Sequence, residues 1–239
     1  MSSIVLACRT IEDEVAKAVE ETGVDYPVKW VESGLHNFPD RLRNTLQREI
    51  DDISNVDTII LCYGYCGNSL LGLKSASARL VVPRVDDCIS LLLGSYRKRM
   101  ELSRETGTYF LTRGWLVNEN NIVVEYQRCL ERFGEERARK VFRTLLNHYR
   151  RLALIDTGTY PLDDERIRRS CGIMQELGLM PCVVQGSTEY LRRLLTGPWN
   201  EDFVVLEPGG TLTFEDFMLD VSESISGLSL FGFGKGGAK

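Results

Sequence analysis

Long apolar runs are missing from this chain. No stretch approaches the ~18 uninterrupted apolar residues of a membrane-spanning helix, and no membrane partner is expected. The N-terminal run Ile4 to Ala7 is too short for a secretory signal and follows no basic segment, so a cytoplasmic location is expected. A basic field is missing too. Lys and Arg number 29 against 34 Asp and Glu, a net charge of −5, which argues against a generic nucleic-acid binder. The chain also lacks a Walker-type phosphate loop, a dinucleotide fingerprint and a nucleophile elbow. Histidine is scarce, with two residues, but cysteine is not. Seven cysteines, an odd number in a chain expected to be cytoplasmic, read as thiols or metal ligands rather than as a disulfide framework.

What is present is an alternation of short β-branched runs with amphipathic stretches. Ile4 to Cys8, Val28 to Val31, Val56 to Leu61 and Leu80 to Val82 read as strands, each followed by a helical pattern. Ile11, Val15 and Val19 form one helical stripe, ended by Gly23; Leu42, Leu46, Ile50 and Ile53 form another. Helices are expected over about 69–75 and 86–99. Further on, strands are expected at Thr108 to Leu111, Leu152 to Ile155, Pro181 to Val184 and Phe203 to Leu206. Helices are expected over Glu135 to Arg151 (with His148 on it), Asp163 to Leu177 and Thr188 to Leu195, and Asn121 to Tyr126 looks β-like. Four successive βα units predict an α/β fold with a parallel, Rossmann-like sheet. The preferred arrangement is two similar lobes around a cleft: residues 1–105 with the Cys/His site, 106–213, and a C-terminal helix and loose tail over 214–239. One continuous doubly wound sheet is the alternative.

In a parallel sheet the loops after the strands share one edge, where ligands collect. Three of the first four strand ends supply Cys8, Cys66 and Cys88, and the remaining one supplies His36. Four such donors suit tetrahedral zinc; three thiolates suit a [4Fe–4S] cluster with one open iron. Simple packing of small thiols is the competing reading, and Cys62 could ligate in place of Cys66. A helix opening at Cys88 is expected to lower the pKa of its thiol. Asn68, Arg84, Ser95, Thr112 and Trp115 are candidate substrate-binding residues, with Arg84 suited to clamp a carboxylate. Asp87 and Tyr109 are candidate catalytic groups, although capping the next helix is the commoner role for Asp86 or Asp87.

The set Ala7-Cys8, Leu35-His36-Asn-Phe-Pro39, Tyr63-Gly-Tyr-Cys66-Gly-Asn68, Pro83-Arg84-Val-Asp-Asp87-Cys88-Ile89, Leu93-Gly94-Ser95, Gly107-Thr-Tyr109 and Gly114-Trp115 resembles an uncharacterised domain family. That family occurs in methanogenic archaea and in anaerobic or metabolically versatile bacteria, often beside corrinoid-dependent methyltransferases. The resemblance extends to about Pro208. Arg9 departs from the glycine common after the first cysteine of that pattern. It implies a setting in methyl or one-carbon metabolism, with a small-molecule substrate and corrinoid reached through a partner protein. A metal-dependent methyl- or sulfur-transfer protein is the first expectation. A non-catalytic module binding a methyltransferase or corrinoid protein is the second. Racemase-like acid–base chemistry by two cysteines is the third, and the clustering of the well-placed cysteines in the first half disfavours it.

Overall fold

The computed structural model describes residues 2–117 and 121–217, with the side chain of His36 outside that description. Of the C-terminal helix and loose tail expected over 214–239, residues 218–239 lie outside the described residues.

Four parallel strands, β1 (Ser3–Cys8), β2 (Val28–Val31), β3 (Thr58–Cys62) and β4 (Arg79–Pro83), lie in the order β2-β1-β3-β4. The central strand β3 is buried along its whole length, as its unbroken apolar run requires when helices cover both faces. On one face lies α2 (Pro39–Asp51), which buries the expected stripe of Leu42, Leu46 and Ile50. On the other lies α1 (Glu12–Thr22), closed by Gly23 in the left-handed conformation at φ 67°. A second sheet holds β5 (Thr108–Leu111), β6 (Arg151–Asp156) and β7 (Met180–Gln185), also parallel. The fold is therefore a mixed α/β, Rossmann-like arrangement of parallel sheets flanked by helices. No helix among the described residues is long and apolar enough to cross a membrane.

The chain does not stay in the second sheet. After β7, α9 (Glu189–Thr196) packs on α1, and β8 (Phe203–Leu206) pairs antiparallel with β4 as the fifth strand of the first sheet. Phe110, Ala153 and Ile155 of the second sheet share one buried cluster with Val5, Ala7, Ile60 and Val81 of the first. The two sheets are thus joined by a common core.

Local expectations fail where turn chemistry or a cap decides. The helix expected over 69–75 is a series of turns, because Cys66, Gly67 and Asn68 all take positive φ, at 45°, 63° and 75°. The helix expected over 86–99 is two. Gly94, at φ 89°, ends α3 (Cys88–Leu93), and Ser95 starts α4 (Tyr96–Glu105) by accepting the Lys98 N–H at 3.1 Å. The β-like Asn121 to Tyr126 enters a helix, α6 (Ile122–Phe133). The Asn121 side chain accepts the N–H groups of Val123 and Val124, and Val123 and Tyr126 are buried. A cap and an amphipathic face outweigh the β preference of Ile122-Val-Val. Helix α7 (Glu135–Leu145) stops short of His148, which lies in the following turn. Two further helices, α5 (Arg113–Leu116) and α8 (Glu165–Glu176), complete the second sheet's surroundings.

Candidate functional site

Strand β1 ends at Cys8, whose thiol donates to the Thr10 hydroxyl at 3.1 Å. Strand β3 runs on into Tyr63 and Gly64, and this segment is laced to the loop after β4. The Tyr65 N–H donates to Val85 O, and the Cys66 N–H to Asp86 O, both at 2.8 Å. Gly64 is required at this crossing: a Cβ there would stand 2.5 Å from the backbone of Asp87. Asp87 caps α3 by accepting the Ser90 N–H at 3.0 Å, and so fixes Cys88 as the first residue of that helix. The backbone interlock brings three strand ends to one place, as the parallel topology predicts.

Arg99, on α4, binds both neighbouring carboxylates. One guanidinium nitrogen lies 2.7 Å from Asp86 and another 3.1 Å from Asp87, while Asp86 also accepts the Ser90 hydroxyl. The opposite wall comes from the second sheet. Tyr109 and Phe110 lie on β5, Trp115 on α5, Glu125 on α6 and Tyr149 just before β6. The rings of Tyr109 and Tyr149 meet edge to face, with centroids 5.4 Å apart. This wall is seated on the first: a Cβ on Gly114 would lie 1.9 Å from the carbonyl oxygen of Thr10, two residues past Cys8. Between the walls is a cavity of about 1040 Å³, at the upper end of the range for small-molecule sites.

A family profile described as a protein of unknown function, DUF1638, matches residues 30–195, the greater part of the chain. The chain belongs to the DUF1638 family. No curated protein and no solved structure matches it. The DUF1638 match takes in Cys66, Cys88, Arg99 and the aromatic wall, whereas Cys8 and β8 lie outside it.

The cavity of this DUF1638 chain gathers many of the residues expected from sequence. Cys8, Cys66, Asp87, Cys88, Tyr109 and Trp115 line it, as does Cys62. The backbone of the His36 turn lies beside it through Leu35 and Asn37, but the His36 side chain falls outside the described residues. Four expected substrate-binding residues do not line the cavity. The Asn68 carbonyl accepts Arg43 at 2.8 Å. The Arg84 N–H donates to Asp202 O at 2.8 Å, at the edge where β8 joins the sheet. Ser95 is spent on capping α4, and Thr112 is wholly buried.

The thiols do not behave as a helix N-terminus alone would make them. Burial raises Cys88 well above the ordinary thiol range, and Cys66, Asp87 and Cys8 raise it further, so the expected depression does not occur. Burial pushes Cys66 up to about 12, aided by Asp87 and Cys8; burial also raises Cys8, and pushes Cys62 up to about 12. Sequence reading missed Tyr63, which is 3% exposed and lines the same cavity. Its hydroxyl has no hydrogen-bond partner among the described residues, and burial followed by the charges of Cys8, Cys66, Cys62 and Cys88 holds it protonated. Its signal was its place one residue past β3. Arg99 had none, because its position depends on the break at Gly94.

As placed, the side chains do not close around an ion: among the described residues no group of three His, Cys, Asp or Glu could hold one. The donor chemistry is nonetheless that of a soft-metal site, with three thiols from separate strand ends lining one wall, Cys8 near enough to raise Cys66 and both near enough to raise Cys88.

Proposed function

We propose that this DUF1638 protein binds a small molecule in the cavity between its sheets. Cys8, Cys66 and Cys88 hold a thiolate-ligated metal centre there, zinc or an iron–sulfur cluster. The observation that carries the reading is that Cys8, Cys66 and Cys88, brought from three strand ends, line one wall of a ligand-sized cavity. Neutral thiols packed together gain only what small apolar side chains gain. A cation changes that by binding the deprotonated forms. Chelation draws the three side chains towards a common centre as their protons leave, and the open fourth position is available to His36 or to substrate. Bound zinc would act as a Lewis acid and lower the pKa of a substrate thiol; a cluster would bind substrate or carry electrons. The wider setting, corrinoid-linked methyl or one-carbon metabolism with a corrinoid protein or methyltransferase as partner, is supported by the motif resemblance.

Anaerobic purification followed by metal, sulfide and absorption measurements tests the centre. About one zinc per chain in a colourless protein, or iron and sulfide with broad visible absorption, is expected. Cys66→Ala and Cys88→Ala should each lose the metal while the far-UV circular dichroism stays that of wild type. Cys171→Ala, on α8 away from the cavity, should retain it. Full occupancy in Cys88→Ala would remove Cys88 from the ligand set, and absence of both metals after reconstitution would overturn the centre. Metal uptake should also strengthen steeply as pH rises, because thiols with raised pKa values must release protons to bind.

A further inference from the structure

The charges and rings of the cavity specify more than its size. Glu32, Asp87 and Glu125 line it, and Arg99 is the only basic residue among the described residues that do. That guanidinium is already held by two carboxylates, at 2.7 and 3.1 Å. Arg9, which approaches Glu32 at 3.4 Å, lies outside the lining. An anionic ligand entering here would meet acidic groups and a cation already shared between two aspartates. Arg84, expected as a carboxylate clamp, is not part of this lining; its backbone N–H is held at the β8 edge.

The opposite wall is aromatic. Tyr109, Trp115 and Tyr149 contribute aromatic rings, and Glu125 lies near enough to Tyr109 to add, after burial and Tyr149, to the rise in its hydroxyl pKa. Aromatic faces attract cations through the ring quadrupole, and the gain grows when the site is shielded from water. A primary ammonium carries three strongly hydrated N–H donors, which the rings themselves do not pair. An alkylated ammonium has few or none, and it sheds its weaker hydration more readily. At the thiol end the unpartnered Tyr63 hydroxyl, itself deeply buried, can take one hydrogen bond from a polar group on the ligand or give one to it.

We infer that the cavity takes a small organic cation with an alkylated ammonium head, recognised by the aromatic wall of Tyr109, Trp115 and Tyr149 under the negative charge of Glu125. This inference rests on the reading that the cavity binds a small molecule, and does not depend on which metal is present.

Three probes of one shape separate the cases: choline, its neutral isostere 3,3-dimethyl-1-butanol, and the related anion 3,3-dimethylbutanoate. Calorimetric titration of the full anaerobically purified chain should show choline binding at least about tenfold more tightly than the alcohol. The carboxylate should give no detectable heat. Trp115→Leu should remove most of that preference. Glu125→Gln, at an exposed position where the fold is not at stake, should reduce it several-fold without weakening the alcohol. Raising ionic strength should weaken choline and leave the alcohol unchanged. If the alcohol or the carboxylate binds as tightly as choline, the cation assignment is wrong while the small-molecule reading stands. If none of the three binds, both are overturned.

Discussion

Gly114→Ala is expected to destabilise the protein by about 3 kcal/mol or more and to remove ligand binding in the cavity. The added Cβ would stand 1.9 Å from the Thr10 carbonyl oxygen and 2.8 Å from its carbon. Overpacking against a flexible side chain costs about 1–3 kcal/mol, and here the obstacle is backbone that cannot rotate away. Thr10 is buried in the 3-10 turn directly after Cys8, so a shift there passes into the thiol wall, while Gly114 precedes Trp115 on the aromatic wall. The contact fixes the distance between the two walls. Gly172→Ala supplies the opposite sign. Gly172 lies inside α8, and its added Cβ would meet nothing within 4 Å, so the change should stabilise by about 0.5–1 kcal/mol. Denaturant midpoints of the two variants, read beside choline titrations, check both. A Gly114→Ala protein with wild-type stability would show that the walls are not in contact there.

The same geometry explains what was legible in the sequence. Strands of continuous apolar residues such as β3, and helices with a fourfold stripe such as α2, carry their fate locally, and their alternation implies a parallel sheet whose ends converge. Cys8, Cys66 and Cys88 could therefore be placed together from chains of residues far apart. Contacts made by a returning chain were not legible. Phe203 to Leu206 reads as a strand, but nothing in it says that it pairs with β4, and that pairing draws Arg84 to the β8 edge although Cys88 is four residues away. Arg99 was hidden by a single glycine. With Gly94 read as helical, the helix would have carried Arg99 on the wrong turn; with Gly94 left-handed, α4 begins anew and its arginine reaches Asp86 and Asp87. The thiol pKa expectation failed on magnitude. A six-residue helix offers a modest dipole, and burial beside other thiols and Asp87 outweighs it.

Glu14→Gln should stabilise the protein by up to about 3 kcal/mol at pH 8 and by only about 1 kcal/mol at pH 5. Glu14 lies in the first turn of α1, is wholly buried, and faces the end of β6. Its Oε1 accepts the Thr157 hydroxyl at 3.0 Å, while Oε2 has no partner among the described residues. Burial is the main cause that pushes its carboxyl up to about 7 from an ordinary 4.5, and the neighbouring Asp13 adds to it. Its own backbone N–H and the hydroxyls of Thr157 and Thr159 pull the other way without prevailing. Tyr160, the other titratable group coupled to it, stays neutral across this range, since burial followed by Glu14 raises its own pKa. Below pH 4.5 the carboxyl is protonated whether the chain is folded or not, and the folded state is not penalised. As pH rises from about 4.5 to about 7 the unfolded chain ionises while the folded one still holds its proton, so stability falls across that window and levels off above it. Glutamine keeps the shape and the acceptor for Thr157 but cannot ionise. Urea midpoints of wild type and Glu14→Gln at pH 5, 6, 7 and 8 should therefore diverge from pH 5 to 7 and level off towards pH 8. Parallel curves would show that Glu14 ionises in the folded protein as it does in water.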